Sequence, residues 1–331
     1  MAGSETSTHG RLSDVHRGRE SPPPLDEAIE AARAELERSN YYTEPHSEPL
    51  RQLLAEQLAV PERLIHINAG SELILRQIFD RLGDRVHLLT PTYALFPEIA
   101  RHHTEAWLLP EHDFAFNLAD LRFPEDTTLM VIVNPNNPNG GIFDMSCLPD
   151  LLRRHPQTHF LVDEAFIGLA GESVASLVPE HRNLLVTRTL SKAHSLAGFR
   201  VGFAILPEPL ANDLNENNDA YPLARPSQAA ALATLRHEDK IAARVRQLRA
   251  WTEALAAQVR KLGARVHPTE TYFFLADFAP HDAVELAARL RERGILVKAL
   301  GDARLGPGYM RITTATPDDN ARFVAALEKL L

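Results

Sequence analysis

Residues 188–202 read Arg188-Thr189-Leu190-Ser191-Lys192-Ala193-His194-Ser195-Leu196-Ala197-Gly198-Phe199-Arg200-Val201-Gly202. A lysine set among hydroxyls and small residues, followed by an arginine, is unlike a solvated face. The small neighbours let a flat ligand approach Lys192. Thr189, Ser191 and the Arg200 guanidinium can together bind a phosphate. A lysine amine in such a pocket can bond covalently to a carbonyl compound. The runs on either side, Leu184 to Thr187 and Val201 to Leu206, lack polar alternation and read as strands buried on both faces.

Three more runs of this kind precede them: His87 to Thr90, Leu129 to Val133 and Phe160 to Val162. Helical stretches separate them, so the chain is expected to form a mainly parallel sheet with helices on each side. Apolar spacing predicts a helix from Leu25 to Leu36, another around Leu50 to Leu58, and one at Leu73 to Leu82. A long helix carries Ile241, Val245, Leu248, Leu255, Val259 and Leu262 on one stripe. After it come a strand (Tyr272 to Phe278), a helix (Asp282 to Arg293), strands at Ile295 to Ala299 and Tyr309 to Thr313, and a last helix (Pro317 to Leu331) capped by Thr316. The fold class is therefore α/β, a large domain with a smaller α+β C-terminal domain. The division expected is an N-terminal arm over 1–24, a large domain over 25–245 and a small domain over 246–331. The first helix of the large domain is a candidate for packing on the small one.

Three other segments carry chemistry. Asn68-Ala69-Gly70-Ser71-Glu72 opens a helix and presents backbone N–H groups that suit a phosphate, although a turn alone explains a glycine there. Asn134-Pro135-Asn136-Asn137-Pro138-Asn139-Gly140-Gly141 is too dense in turn residues for a simple turn, and it follows a strand where open α/β sheets bind ligands. Phe160-Leu161-Val162-Asp163-Glu164-Ala165-Phe166 ends a buried strand in two carboxylates. Such a charge needs a cation opposite it, unless Asp163 merely caps a helix.

In this order, and with Pro91-Thr92-Tyr93 between the first two, the segments resemble the fold-type I pyridoxal-phosphate enzymes. They are most similar to the class I/II aminotransferases of the histidinol-phosphate aminotransferase branch, which is related to threonine-phosphate decarboxylase. The resemblance runs over roughly residues 40 to 315. It implies a seven-stranded-type sheet and pyridoxal 5'-phosphate as cofactor. By that resemblance Lys192 would hold the cofactor covalently and then move protons. Asp163 would keep the pyridine nitrogen protonated, Asn137 would hydrogen-bond the phenolic oxygen, and Tyr93 would stack on the ring. Gly70, Ser71, Thr189, Ser191 and Arg200 would hold the phosphate, with Glu72, Ala165 and Phe166 also at the cofactor. Tyr42 would reach the phosphate and substrate of a neighbouring subunit, making a homodimer. Arg311 would bind the substrate's anionic end. The partners implied are an amino donor, such as an amino acid or a phosphorylated amine, and a 2-oxo acid acceptor.

Three single positions and one stretch depart from the pattern. Phe166 stands where a tyrosine hydroxyl is usual, which favours the decarboxylase as the alternative function. Ala315 stands where the decarboxylase pattern carries a second arginine. The stretch Leu12-Ser13-Asp14-Val15-His16-Arg17-Gly18 lacks the asparagine–glutamate–asparagine residues of the family loop, and Tyr272 replaces an asparagine.

Composition narrows the alternatives. The 331 residues carry 35 Lys+Arg against 44 Asp+Glu, a net charge of −9, which disfavours nucleic acid as a partner. No apolar run reaches the length of a membrane span, and the polar N-terminus lacks a signal core, so a cytoplasmic protein is expected. The single cysteine, Cys147, allows no intramolecular disulfide and is expected to be inert. His102, His103 and the scattered histidines lack ligand spacing, so no metal is expected. Arg244, Arg246 and Arg249 are read as a solvated helix face. His194 either touches the bound ligands or does not.

Overall fold

The computed structural model describes residues 22–331. Seven strands form the large sheet: β1 (Ile65–Asn68), β2 (Arg85–Thr90), β3 (His102–Trp107), β4 (Leu129–Val133), β5 (His159–Asp163), β6 (Leu184–Thr189) and β7 (Gly202–Ile205). Their order is β1-β7-β6-β5-β4-β2-β3. β7 runs antiparallel to both neighbours and the other pairs are parallel. The apolar runs read as doubly buried strands are that: all five residues of β4 are buried.

Among the described residues ten α-helices accompany the sheets: α1 (Asp26–Leu36), α2 (Glu48–Leu58), α3 (Ser71–Leu82), α4 (Leu95–Ile99), α5 (Leu148–Arg154), α6 (Glu208–Glu216), α7 (Arg225–Leu235), α8 (Glu238–Lys261), α9 (Ala283–Arg291) and α10 (Pro317–Glu328). One sheet face, with Met130, Ile132, Val162 and Val186, packs into a core shared with α1, α2 and α7. The opposite face, with Val131, Val133, Leu161 and Leu185, packs against α3 and α6. Side-chain alternation along each strand assigns these residues to their faces.

The second sheet holds β8 (Arg265–Val266), β9 (Phe273–Asp277), β10 (Lys298–Ala299) and β11 (Tyr309–Thr313), in antiparallel order β10-β11-β9-β8. With α9 and α10 it encloses its own core around Phe274, Met310, Ile312 and Phe323. α8 serves both cores. Ile241, Val245 and Leu248 enter the large one, and Leu255, Ala256 and Val259 the small one. Thr316 caps α10 by accepting from the Asp319 amide.

Several sequence readings are corrected. The first helix, α1, packs along α7, and Ala28 and Ala32, with Leu25 just before the helix, enter the large core. Nothing in the sequence marks edge strand β3, because its first four residues are polar and exposed, as an edge permits. β1 and β8, of four and two residues, are too short to show a pattern. The strand expected at Ile295 to Ala299 narrows to Lys298–Ala299. The stretch Leu12 to Gly18 and most of the expected arm lie outside the described residues. Among the described residues no helix is long and apolar enough to cross a membrane.

Gly202 opens β7 beside the start of α3. A Cβ there would overlap the Ser71 amide nitrogen and the Gly70 carbonyl carbon, both backbone and so unable to swing aside. Gly202→Ala is expected to lower unfolding free energy by about 2 kcal/mol or more. Urea titration of wild type and variant checks this, and equal midpoints would contradict the close packing of β7 on α3.

Candidate active site

β1, β4, β5 and β6 end at one edge of the sheet, and β7 begins there. Chain direction alone therefore brings Asn68, Val133, Asp163 and Thr189 to that edge, together with Arg200 just before β7. This is where open α/β sheets bind ligands. A cleft of about 400 Å³ opens there. It is lined by Ser71, Glu72, Tyr93, Asn137, Asp163, Ala165, Phe166, Thr189, Ser191, Lys192, Arg200 and Arg311 among others. Twelve of the residues singled out from sequence thus converge.

Gly70 lies behind the cleft rather than on its wall. Its φ of +90° suits glycine, and a Cβ would strike the Arg200 guanidinium. The absence of a side chain at Gly70 is what lets Arg200 lie across the N-terminus of α3. The first amides of α3, the Arg200 guanidinium and the Thr189 and Ser191 hydroxyls make a set of donors suited to a phosphate. Thr189 Oγ1 donates to Ser191 Oγ at 2.9 Å, and the Ser191 amide donates to Thr189 Oγ1 at 3.1 Å. These bonds hold the two hydroxyls together.

Deeper in the cleft lies Asp163, only 3% exposed. Burial raises its carboxyl to about 6, against hydrogen bonds from Thr187 and the Ala165 amide that favour the charged form. It does not cap a helix: a turn follows it. Its neighbour Glu164 points into a different environment. Glu164 accepts from Ser173 Oγ and the Val174 amide, both at 2.7 Å, and faces the half-buried Arg188 at 3.8 Å. Burial still raises the Glu164 carboxyl.

Lys192 Nζ sits 5.6 Å from the centre of the Phe166 ring. Phe166 packs edge-on against Phe273, with centroids 5.0 Å apart. Asn136 ties down the Asn/Pro loop, donating to Pro91 O at 3.0 Å and Asn139 Oδ1 at 2.8 Å. Next to it Asn137 accepts from Arg311 Nη1 at 2.7 Å, so the loop and the C-terminal sheet meet in the cleft. Arg311 also lies over the Phe273 ring. A flat aromatic phosphate with a carbonyl suits this arrangement: amine, carboxylate, aromatic walls and a donor cradle sit around one space.

Lys298 was missed. It pairs in register with Arg311 across β10 and β11 and lines the same cleft. Burial, then the Arg311 charge, lowers its amine. Only the strand pairing reveals it. Tyr42 does not line the cleft of its own chain. It is 78% exposed and stacks on Tyr221 at 4.5 Å. His194 lies in the neighbouring cavity, with Nε2 3.3 Å from Glu238. Arg244 is no fully solvated residue, because it donates to Ser195 Oγ at 3.3 Å. His102 and His103 sit on the exposed edge strand. Burial pushes the Cys147 thiol up, in keeping with an inert residue.

The family model described as "Aminotransferase class I and II" matches residues 14–327. Histidinol-phosphate aminotransferase 2 of Rhizobium meliloti is 34% identical over 323 residues, covering 94% of this chain and 91% of that protein. The histidinol-phosphate aminotransferase of Sinorhizobium meliloti, solved in complex with pyridoxal-5'-phosphate, superposes with a TM-score of 0.84 at 22% identity, covering 96% of this chain and 90% of that one. L-threonine-O-3-phosphate decarboxylase of Porphyromonas gingivalis gives 0.81 at 25% identity, covering 92% and 95%.

The Asp163 carboxyl has a linked effect on stability. Its folded value of about 6 lies above the ordinary 3.8, so protonation favours the folded chain. Without cofactor, stability should fall as pH rises from about 4 through 6. Asp163→Asn removes the buried charge. The unloaded variant is expected to exceed unloaded wild type at pH 8 by up to roughly 3 kcal/mol and to match it near pH 4. Chemical denaturation at both pH values checks the sign. Lower stability of the variant at pH 8 would contradict it.

Proposed function

The chain belongs to the class I and II aminotransferase family, whose cofactor is pyridoxal phosphate, and we propose that its amino donor is a phosphorylated amine or amino acid of the histidinol-phosphate kind. The observation that carries this reading is the presence of two cations, Lys298 and Arg311, at the end of the cleft reached through the C-terminal sheet. One arginine answers a carboxylate. A second cation beside it suits a dianionic group such as a phosphate.

When bound, the cofactor supplies an aldehyde that combines with amines and a ring that withdraws electrons from the amine-bearing carbon. The chain's residues would do the rest. Asp163, ionised above about pH 6, would hold the proton on the ring nitrogen. Lys192 Nζ would anchor the cofactor, yield to the incoming amine, and carry a proton from the substrate's carbon. Arg200, Ser191, Thr189 and the start of α3 would bind the phosphate, with Gly70 leaving them room. Tyr93 and Ala165 would flank the ring. Asn137, held by Arg311, would face its phenolic oxygen. Through that bond, anion binding at Arg311 would be felt at the cofactor. Phe166 and Phe273 would exclude water on the side of Lys192. A 2-oxo acid would take the amino group in the second half of the cycle.

The second reading is removal of a carboxyl group instead of a hydrogen from the same carbon. Phe166, in place of a hydroxyl donor, favours it. We also propose a homodimer in which Tyr42 of the partner subunit completes the phosphate site; its outward exposure supports this.

A panel of amines mixed with the cofactor-loaded protein tests the assignment by loss of visible absorbance. Histidinol phosphate should react, and turnover should need a 2-oxo acid. Carbon dioxide released without that requirement would favour the decarboxylase. Lys192→Ala should abolish multiple turnover. Lys298→Met should raise KM for the phosphorylated donor roughly tenfold to a hundredfold with kcat nearly unchanged. Equal KM for phosphorylated and neutral amines in wild type would overturn the substrate class.

A further inference from the structure

We infer that Thr187, one layer beneath the cleft, is a positioning residue that fixes the rotation and charge of Asp163 by donating its hydroxyl proton to Oδ1. The inference rests on the role of Asp163 proposed above. β5 and β6 are parallel, and their register sets Asp163 directly against Thr187. Thr187 Oγ1 donates to Asp163 Oδ1 at 3.0 Å. Thr187 is 0% exposed. It does not line the cleft, so it acts only through Asp163.

The residue type is informative. Leu184, Leu185 and Val186, which precede Thr187 in β6, are all fully buried and apolar. A hydroxyl in such a strand costs free energy unless it is bonded. A valine would fill nearly the same volume without that cost. The hydroxyl does have a partner, and that partner is ionisable. A β-branched side chain in a strand has few rotamers, so Oγ1 is held in place. With Oδ1 engaged from below, the carboxylate cannot turn freely. The Ala165 amide adds a second bond, and the carboxylate so held is presented to the ring nitrogen above.

The charged groups around Asp163 do not do this work. Glu164 beside it disfavours ionisation, though it is itself faced by Arg188 on β6. Lys192, from the loop after β6, favours it more weakly than the Thr187 hydrogen bond does. Tyr93, from the loop after β2, is held above its ordinary value by burial and is neutral near pH 7. Among the groups that favour the ionised carboxylate, the Thr187 hydrogen bond is the largest.

The test uses Thr187→Val, which keeps the shape and removes the donor, and Thr187→Ser, which keeps the donor. In the unloaded protein carrying 13Cγ-labelled aspartate, the Asp163 signal is identified by its loss in Asp163→Asn. Its titration midpoint should rise by about one to two pH units in Thr187→Val and stay within about half a unit of wild type in Thr187→Ser. In the loaded protein, Thr187→Val should move the acid limb of kcat upward by a similar interval with KM for the donor unchanged, and the serine variant should restore it. An unshifted Asp163 midpoint in Thr187→Val would overturn the inference. So would a serine variant as defective as the valine one. The titration in unloaded protein is independent of the substrate panel, so failure of this inference and failure of the proposed reaction are separately visible.

Discussion

A carboxylate buried at the end of a central strand is costly, and the rest of the site is arranged around that cost. Asp163 lies at the C-terminal end of β5 with almost no exposure, and burial raises it to about 6. The chain moderates this with two hydrogen bonds, from Thr187 and the Ala165 amide, and with the Lys192 charge, yet desolvation still dominates. A ligand that brings a protonated nitrogen to the carboxylate supplies the missing cation. The site is therefore less stable empty than filled, and binding and folding are coupled through one residue.

The contrast with Glu164 makes the case. Asp163 is the last residue of β5 and Glu164 the one after it, and the two side chains meet different partners. Glu164 is met by Ser173, the Val174 amide and Arg188, all provided by the chain. Asp163 faces a cleft that also holds Lys192 and Tyr93. Glu164 is structural by this criterion, while Asp163 is left for a partner from outside. The phosphate cradle at Arg200 and the cations at Lys298 and Arg311 then lie at different ends of the cleft. In the proposed reading the first would anchor the cofactor and the second would receive the substrate.

Much of this was legible because the chemistry is local in sequence. The Lys192 segment, the Asp163 strand end and the Asn137 loop each declare themselves through residue types that make little sense on a surface, and sheet direction brings them to one edge. What was not legible depends on pairing between distant segments. Lys298 sits in an ordinary run and gains its meaning only by facing Arg311 across β10 and β11. Thr187 looks like any strand residue until register sets it beside Asp163. The edge strand β3 hides because its polar residues suit exposure. His194, two positions from Lys192, turns into the neighbouring cavity toward Glu238, a direction that spacing does not encode.

In the proposed reading the carboxylate at position 163 and the ring of the bound cofactor complete one another. Loading the protein with pyridoxal phosphate labelled with 15N in the ring, and recording the nitrogen shift between about pH 7 and 9, shows whether they do. A protonated ring nitrogen is expected throughout that range, with the proton lost when Asp163 is replaced by asparagine. An unprotonated nitrogen in the wild-type protein near pH 7 would contradict it.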